Sequence, residues 1–208
     1  MAMGILEDKG RARLFYKYLS RIYDRINPFI WTESMRDDAI DRFDVDADDR
    51  VLDVGCGTGF ATQALVEETD DVYGLDQSPH QLERALGKLG DDDRVEFVLG
   101  DAERLPYETD SFDKVWSSGS IEYWPEPVQT LREIRRVCRP GGTVLIVGPN
   151  EPKSRIGRAL ANAIMLFYGE AEADRMFEAA GFEEVEHWTD GPSHKPDVAV
   201  ISMARVPE

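Results

Sequence analysis

Cysteine is almost missing from this chain. Cys56 and Cys138 are the only two, and the pattern places them in different elements. Such a pair builds neither a disulfide framework nor a zinc site, and it fits a reducing compartment. Long apolar runs are also missing. Nothing approaches the about 18–20 residues of a membrane-spanning helix, and Met1 to Leu6 lacks the apolar stretch of a signal peptide. A soluble cytoplasmic chain, at most peripheral to a membrane, is expected. Lysine is scarce: six residues stand among 24 basic ones, against 41 Asp and Glu, and the net charge is −17. Phosphate binding needs a basic surface, so nucleic acid is excluded as the main partner. An acidic, lysine-poor surface with runs such as Asp46-Ala-Asp-Asp49 and Asp91-Asp-Asp93 suits a high-salt cytoplasm, where self-repulsion is screened. The plainer alternative is an ordinary acidic soluble protein. Internal repeats and low-complexity segments are absent from the sequence.

What is present reads as one α/β domain, for which 208 residues are enough. Leu14, Phe15, Tyr18 and Ile22 recur at helical spacing, and Tyr23-Asp-Arg-Ile-Asn-Pro28 breaks that helix. A second helix is predicted over Glu33 to Phe43, with Thr32 as N-cap. Strands then alternate with helices: strands at Arg50 to Val54, Asp71 to Leu75, Val95 to Leu99, Asp113 to Ser117 and Thr143 to Val147, and helices at Ala61 to Glu68, Pro79 to Lys88 and Glu126 to Cys138. Alternation with short links predicts a mostly parallel sheet covered on both faces. Arg139-Pro-Gly-Gly142 is a helix stop. Lys153 to Tyr168 reads as an inserted helix and Glu170 to Ala180 as another, stopped at Gly181. Phe182 to Thr189 and Asp197 to Arg205 read as a closing, hairpin-like pair of strands. The division expected is a helical N-terminal extension (1–44), a binding core (45–150), an inserted helix (151–169) and a closing segment (170–208).

The most informative stretch is Val51-Leu-Asp-Val-Gly-Cys-Gly-Thr-Gly-Phe60. A buried strand ends in three glycines at alternate positions and a helical pattern follows, an arrangement that brings backbone close to a nucleotide-like ligand. Phe60 stands where a dinucleotide site wants glycine or alanine. Asp53, two residues before Gly55, suits a ligand carrying an ammonium group better than a pyrophosphate. Ligands of such sheets lie at the carboxyl ends of the strands. Gly55, Cys56 and Gly57 follow the first strand. Asp76 ends the second, at the spacing of an acid that holds ribose hydroxyls, with Gln77 after it; a helix-capping role is the alternative, although Ser78 is the better cap. Asp101 and Ala102 follow the third strand and suit an adenine edge, where a plain turn is the alternative. Ser117, Ser118 and Gly119 follow the fourth.

In order and spacing, residues 45 to 148 resemble the class I S-adenosylmethionine (SAM) methyltransferases. The resemblance implies a Rossmann-like, seven-stranded, mostly parallel sheet with an N-terminal helical lid, SAM as cofactor and S-adenosylhomocysteine as product. Ser117, Ser118 and Gly119, after the fourth strand, are expected to line the methionine end of such a ligand. A narrower resemblance rests on Tyr23-Asp-Arg-Ile-Asn-Pro28, Trp31-Thr-Glu-Ser-Met-Arg-Asp-Asp38, Asp76-Gln-Ser-Pro-His-Gln81, Gly119-Ser-Ile-Glu-Tyr-Trp-Pro125 and Met165-Leu-Phe167. These look like the 2-methyl-6-phytyl/solanesyl-benzoquinol methyltransferases, with the menaquinone and ubiquinone C-methyltransferases as more distant relatives. The resemblance implies C-methylation of a prenylated quinol ring of benzoquinol or menaquinol type. Methylation of a soluble small molecule at oxygen or nitrogen, or binding of SAM or quinone without turnover, are the alternatives.

An electron-rich ring carbon calls for a general base. Glu122 and Tyr123 stand after the fourth strand, and Tyr23 with Asp24 on the N-terminal lid; packing against Trp124 is the plainer role for the first two. His187 and His194 read as structural or surface residues, and no metal site is expected. The chain departs from the plant enzymes in having Cys56 for a common glycine, and it is expected to be without their transit peptide and C-terminal anchor. Ile156, Leu160, Ile164 and Phe167 give the inserted helix an apolar face, with Lys153, Arg155 and Arg158 near its start. Such a helix suits a membrane surface or a greasy substrate, or simply closes the sheet. Methyl transfer should rise with added KCl if the acidic surface is an adaptation to high salt; an optimum near zero salt would contradict that reading.

Overall fold

The computed structural model describes residues 31–150, 169–192 and 197–208. The first predicted helix, Tyr23, Asp24, the inserted helix and His194 lie outside them. Helix α1 (Glu33–Phe43) begins where its cap predicts: the Thr32 hydroxyl accepts the Met35 amide at 3.3 Å. Met35, Ala39, Ile40 and Phe43 form its buried face, the one-sided spacing that docks a helix onto a sheet.

Seven strands follow: β1 (Arg50–Val54), β2 (Asp71–Asp76), β3 (Val95–Leu99), β4 (Phe112–Ser118), β5 (Cys138–Pro149), β6 (Glu183–Asp190) and β7 (Ala199–Arg205). They lie in the order β3-β2-β1-β4-β5-β7-β6. The β1–β2, β2–β3, β1–β4 and β4–β5 pairs are parallel, and β7 runs antiparallel to both β5 and β6. The expected closing pair is therefore present, and β7 slots between its partner and the parallel sheet. The chain order reverses between β1 and β4, the place where such sheets leave a crevice at their carboxyl edge.

Helices α2 (Thr62–Leu65), α3 (Pro79–Leu89), α4 (Pro127–Val137) and α5 (Glu170–Ala180) link the strands. Two apolar clusters form, one on each face of the sheet. One holds Leu52, Val54, Val115, Ile146, Leu131 and Phe177; the other holds Val51, Trp116, Leu145, Phe43, Leu65 and Ile201. Each fully buried side chain of this kind stabilises the fold by roughly 1.5–3 kcal/mol. His187 sits between Ser202 (2.8 Å) and Asp174 (2.9 Å), a structural bridge from α5 to the sheet edge, as expected.

Most elements fall within two residues of their predicted bounds, and two differ by more. Helix α2 covers four residues rather than eight, because the turns after it close with three-residue bonds such as Glu67 amide to Ala64 carbonyl and Glu68 amide to Leu65 carbonyl. The Arg139–Gly142 stop does end α4, but β5 starts at once at Cys138. Cys138 pairs with Phe112, the register shifts before Lys114, and Gly141 takes a left-handed φ of 75° while its amide bonds Val206. A stop signal and a strand bulge have the same glycine-rich composition, so sequence alone does not separate them.

Candidate active site

The glycine turn hangs from the end of β2. The amides of Gly55 and Cys56 both donate to the Leu75 carbonyl, at 2.7 and 3.0 Å. Gly55 has a φ of 74°, and a Cβ there would collide with the side chain of Ser120. Gly57 has a φ of 56°, and a Cβ there would meet no atom within 4 Å. One glycine is thus required by a neighbour, and the other leaves bare backbone facing open space.

Asp76 faces the Gly57 backbone. Its Oδ2 accepts the Gly57 amide at 2.9 Å, and its Oδ1 accepts the Ser78 amide at 2.7 Å. Burial raises its pKa to about 6, against the pull of those two amides. Ser78, not Asp76, caps α3 through the Gln81 amide. Asp53 lies beneath the loop, 1% exposed, with Oδ2 accepting the Thr62 hydroxyl at 2.7 Å. Burial raises its pKa to about 7; the Thr62 hydrogen bond opposes this and the nearby Asp76 adds to it. Asp53 therefore fixes the entry to α2 and puts a carboxyl behind the turn.

The other expected residues take varied places. Gln77 follows β2, with its Oε1 buried and without a hydrogen-bond partner among the described residues. Asp101 holds its own turn after β3: Oδ1 accepts the Glu103 amide at 3.0 Å, and its carbonyl accepts the Arg104 amide. Ala102 beside it is half-buried. Two of the expected residues have groups engaged within the protein. The Ser117 hydroxyl is fully buried and donates to the Val54 carbonyl at 2.7 Å, so its side chain ties β4 to β1 and reaches no open surface. The amide of Cys56 is engaged by Leu75 and its carbonyl by the Gly59 amide; its thiol is buried near Gly74, and that burial holds its pKa well above the ordinary range.

After β4, Gly119 turns with a φ of 63° into a short 3-10 helix, Ile121–Tyr123. Glu122 on it is 7% exposed, and its Oε2 has no hydrogen-bond partner among the described residues. Burial raises its pKa to about 7, with its own backbone amide opposing. Tyr123 next to it is half-buried. Among the described residues no group of His, Cys, Asp or Glu is placed to hold a metal.

Sequence reasoning missed Thr62, Ser120 and Gln81. Gln81 is 2% exposed, and its Oε1 also lacks a partner among the described residues. Its signal was legible: a glutamine shares the inward face of α3 with Leu82 and Ala85, a face otherwise apolar.

The fold thus defines a doubly wound α/β protein with a glycine turn at the carboxyl edge of its sheet. Residues 52–146 match the family model described as a methyltransferase domain. The 2-methyl-6-phytyl-1,4-hydroquinone methyltransferase 1 of Oryza sativa subsp. japonica is 45% identical over 191 residues, covering 90% of this chain and 58% of the relative. The demethylmenaquinone methyltransferase of Staphylococcus aureus is 30% identical over 210 residues, covering 86% and 87%. The Haemonchus contortus phosphoethanolamine N-methyltransferase 2, solved in complex with SAM, superposes with a TM-score of 0.74 at 19% identity, over 85% of this chain and 53% of that one. The chain belongs to the SAM-dependent methyltransferase family. It spans a little over half the length of the plant relatives it matches.

The buried carboxyls make stability depend on pH. Asp53 titrates near 7 when folded against 3.8 for an unperturbed carboxyl. Between those values the folded state holds the extra proton, so stability falls as pH rises from about 4 to about 7, and the penalty persists above that. Asp53→Asn should therefore be more stable than the parent at pH 8, by on the order of 2 kcal/mol, with the gap closing towards pH 4. Urea unfolding at the two pH values measures this. A variant less stable than the parent at pH 8 would contradict the assignment.

Proposed function

We propose that this chain transfers a methyl group from SAM to a ring carbon of a reduced prenyl quinol. The observation that carries the cofactor half is the bare Gly57 backbone beside Asp76. The donor set agrees. Among the polar groups around the turn, Asp53 and Asp76 are acidic, and the unpartnered atoms Gln77 Oε1, Gln81 Oε1 and Glu122 Oε2 are all acceptors. Such a set suits a ligand that brings positive charge and hydroxyl donors, as SAM does, and not a pyrophosphate. Asp76 would hold the ribose hydroxyls with Gln77 beside it, Asp101 and Ala102 the adenine edge, and Gly55 and Gly57 the close approach of backbone. Asp53 would act from behind the turn, supplying negative potential to the ammonium end.

When bound, SAM supplies a methyl already activated on a sulfonium. The work of the chain is then alignment, water exclusion and one proton transfer. Glu122 is suited to that transfer: with a pKa of about 7 it is half deprotonated near neutral pH and lacks a partner for Oε2. It takes the proton of a quinol hydroxyl and so raises electron density at the ring carbon; after the methyl has moved, the ring C–H proton shifts from the methylated carbon to the ring oxygen, restoring the quinol and leaving the net proton on Glu122. Tyr123, adjacent on the same turn, would orient the ring, and Tyr23 would do so from the N-terminal lid.

The acceptor half rests on likeness to the hydroquinone and demethylmenaquinone methyltransferases. No helix of the described residues is long and apolar enough to cross a membrane. A prenylated acceptor would be met at the bilayer surface, and the sequence of the 153–168 segment has an amphipathic pattern suited to it. The acidic composition supports a high-salt, cytoplasmic setting.

The test is transfer of labelled methyl from SAM to a panel of reduced prenyl quinols in detergent. Product on a benzoquinol or naphthoquinol ring carbon is expected, with kcat rising as pH passes through about 7. Glu122→Gln should lower kcat by about 10²–10⁴-fold and lose that rise. Methylation of water-soluble acceptors alone, or SAM binding without product on any quinol, would overturn the proposal.

A further inference from the structure

Glu122 has a weakness as a base: one of its oxygens has no bond to hold the side chain in place. Its orientation must come from the turn that carries it. That turn is fastened at both ends. The Trp124 indole Nε1 donates to Ser120 Oγ at 2.9 Å, spanning the two residues before and the two after Glu122's backbone position. The Tyr123 amide donates to the Ser120 carbonyl at 3.0 Å, and the Trp124 amide to the Ile121 carbonyl at 3.2 Å. Trp124 is 4% exposed, in the same apolar cluster as Ile121. At the base of the segment, the Gly119 amide bonds the Val147 carbonyl at 3.0 Å, and Ile121 fills the space that a side chain at Gly148 would take.

Ser120 has a second neighbour. Its side chain occupies the place that a Cβ on Gly55 would need, so it rests directly on the glycine turn. One serine oxygen thus touches the cofactor turn and accepts the tie that closes the Glu122 turn.

We propose that Ser120 and Trp124 are positioning residues for the reaction, setting Glu122 against the glycine turn so that the cofactor turn and the base move as one unit. The inference rests on the reading of Glu122 as the base. Trp124 is buried in the core and the Ser120 side chain packs against Gly55, so both are read as acting through Glu122. The Trp–Ser bond is a small interaction for stability but sets an angle, and misplacing a reacting group by about 1 Å is enough to lower a rate about 10²-fold. Burial and its own amide are the influences on the Glu122 carboxyl; no charged side chain among the described residues contributes, on β5 or on the glycine turn.

The experiment uses the full chain with SAM and a reduced prenyl quinol. Ser120→Ala removes the acceptor, and Trp124→Phe keeps the ring but removes the donor. Each is expected to lower kcat about tenfold or more, with the KM for quinol and the Kd for SAM within about twofold of the parent. The double variant should be no worse than either single one, because both break the same tie. A loss shared between SAM affinity and thermal stability, with kcat unchanged, would show a merely structural bond and overturn the proposal. Additive losses in the double variant would overturn it too. Failure of the underlying reading looks different: Glu122→Gln would then keep the parent's kcat and its rise near pH 7.

Discussion

The rest of the site depends on one hydrogen bond, from the Gly57 amide to the Asp76 carboxylate. It joins the carboxyl ends of β1 and β2, fixes the height of the glycine turn, and keeps a buried acid facing the Gly57 backbone, beside which there is open space. The two amides that Asp76 accepts are what let a carboxyl 9% exposed remain titratable near 6. Without them, desolvation alone would push it further towards the neutral form. The Leu75 carbonyl, accepting Gly55 and Cys56 together, keeps the turn from lifting away from β2.

Three carboxyls, on Asp53, Asp76 and Glu122, are raised by burial in one region. A fold gains nothing from this in its empty state, since each group destabilises the chain at neutral pH. Such clustering is characteristic of sites where charge is matched by a ligand. The contrast with the rest of the molecule is clear. Described surface acids such as Asp71 and Asp92 have arginine partners, Arg50 and Arg94, whereas the three site carboxyls have hydroxyls, amides or, at Glu122 Oε2, no partner among the described residues.

Much of this was legible in the sequence. Glu33–Phe43, Arg50–Val54, Val95–Leu99 and Glu170–Ala180 stand at their expected bounds because each has a sharp local signal: a threonine cap, a β-branched run between acidic links, or a glycine stop. The glycine turn and the acid that ends β2 were legible because they stand at the carboxyl ends of adjacent parallel strands, where such sheets leave a crevice. What remained hidden depends on contacts across the chain. Ser117 and Cys56 sit in the right places along the sequence, but which way a side chain points at a strand end is set by neighbours, here Val54 and Gly74. Ser120 was invisible as a constraint on Gly55, since the two are brought together only when β4 pairs with β1. Position 139–142 was ambiguous because a helix stop and a bulged strand start use the same residues.

The most direct measurement is a crystal structure of the chain with S-adenosylhomocysteine. The nucleoside should lie over the bare backbone of Gly57, with its ribose hydroxyls on the Asp76 carboxylate and Asp53 still bonded to Thr62 beneath. A nucleoside bound elsewhere, or one that leaves Asp76 on the Gly57 and Ser78 amides alone, would contradict this account.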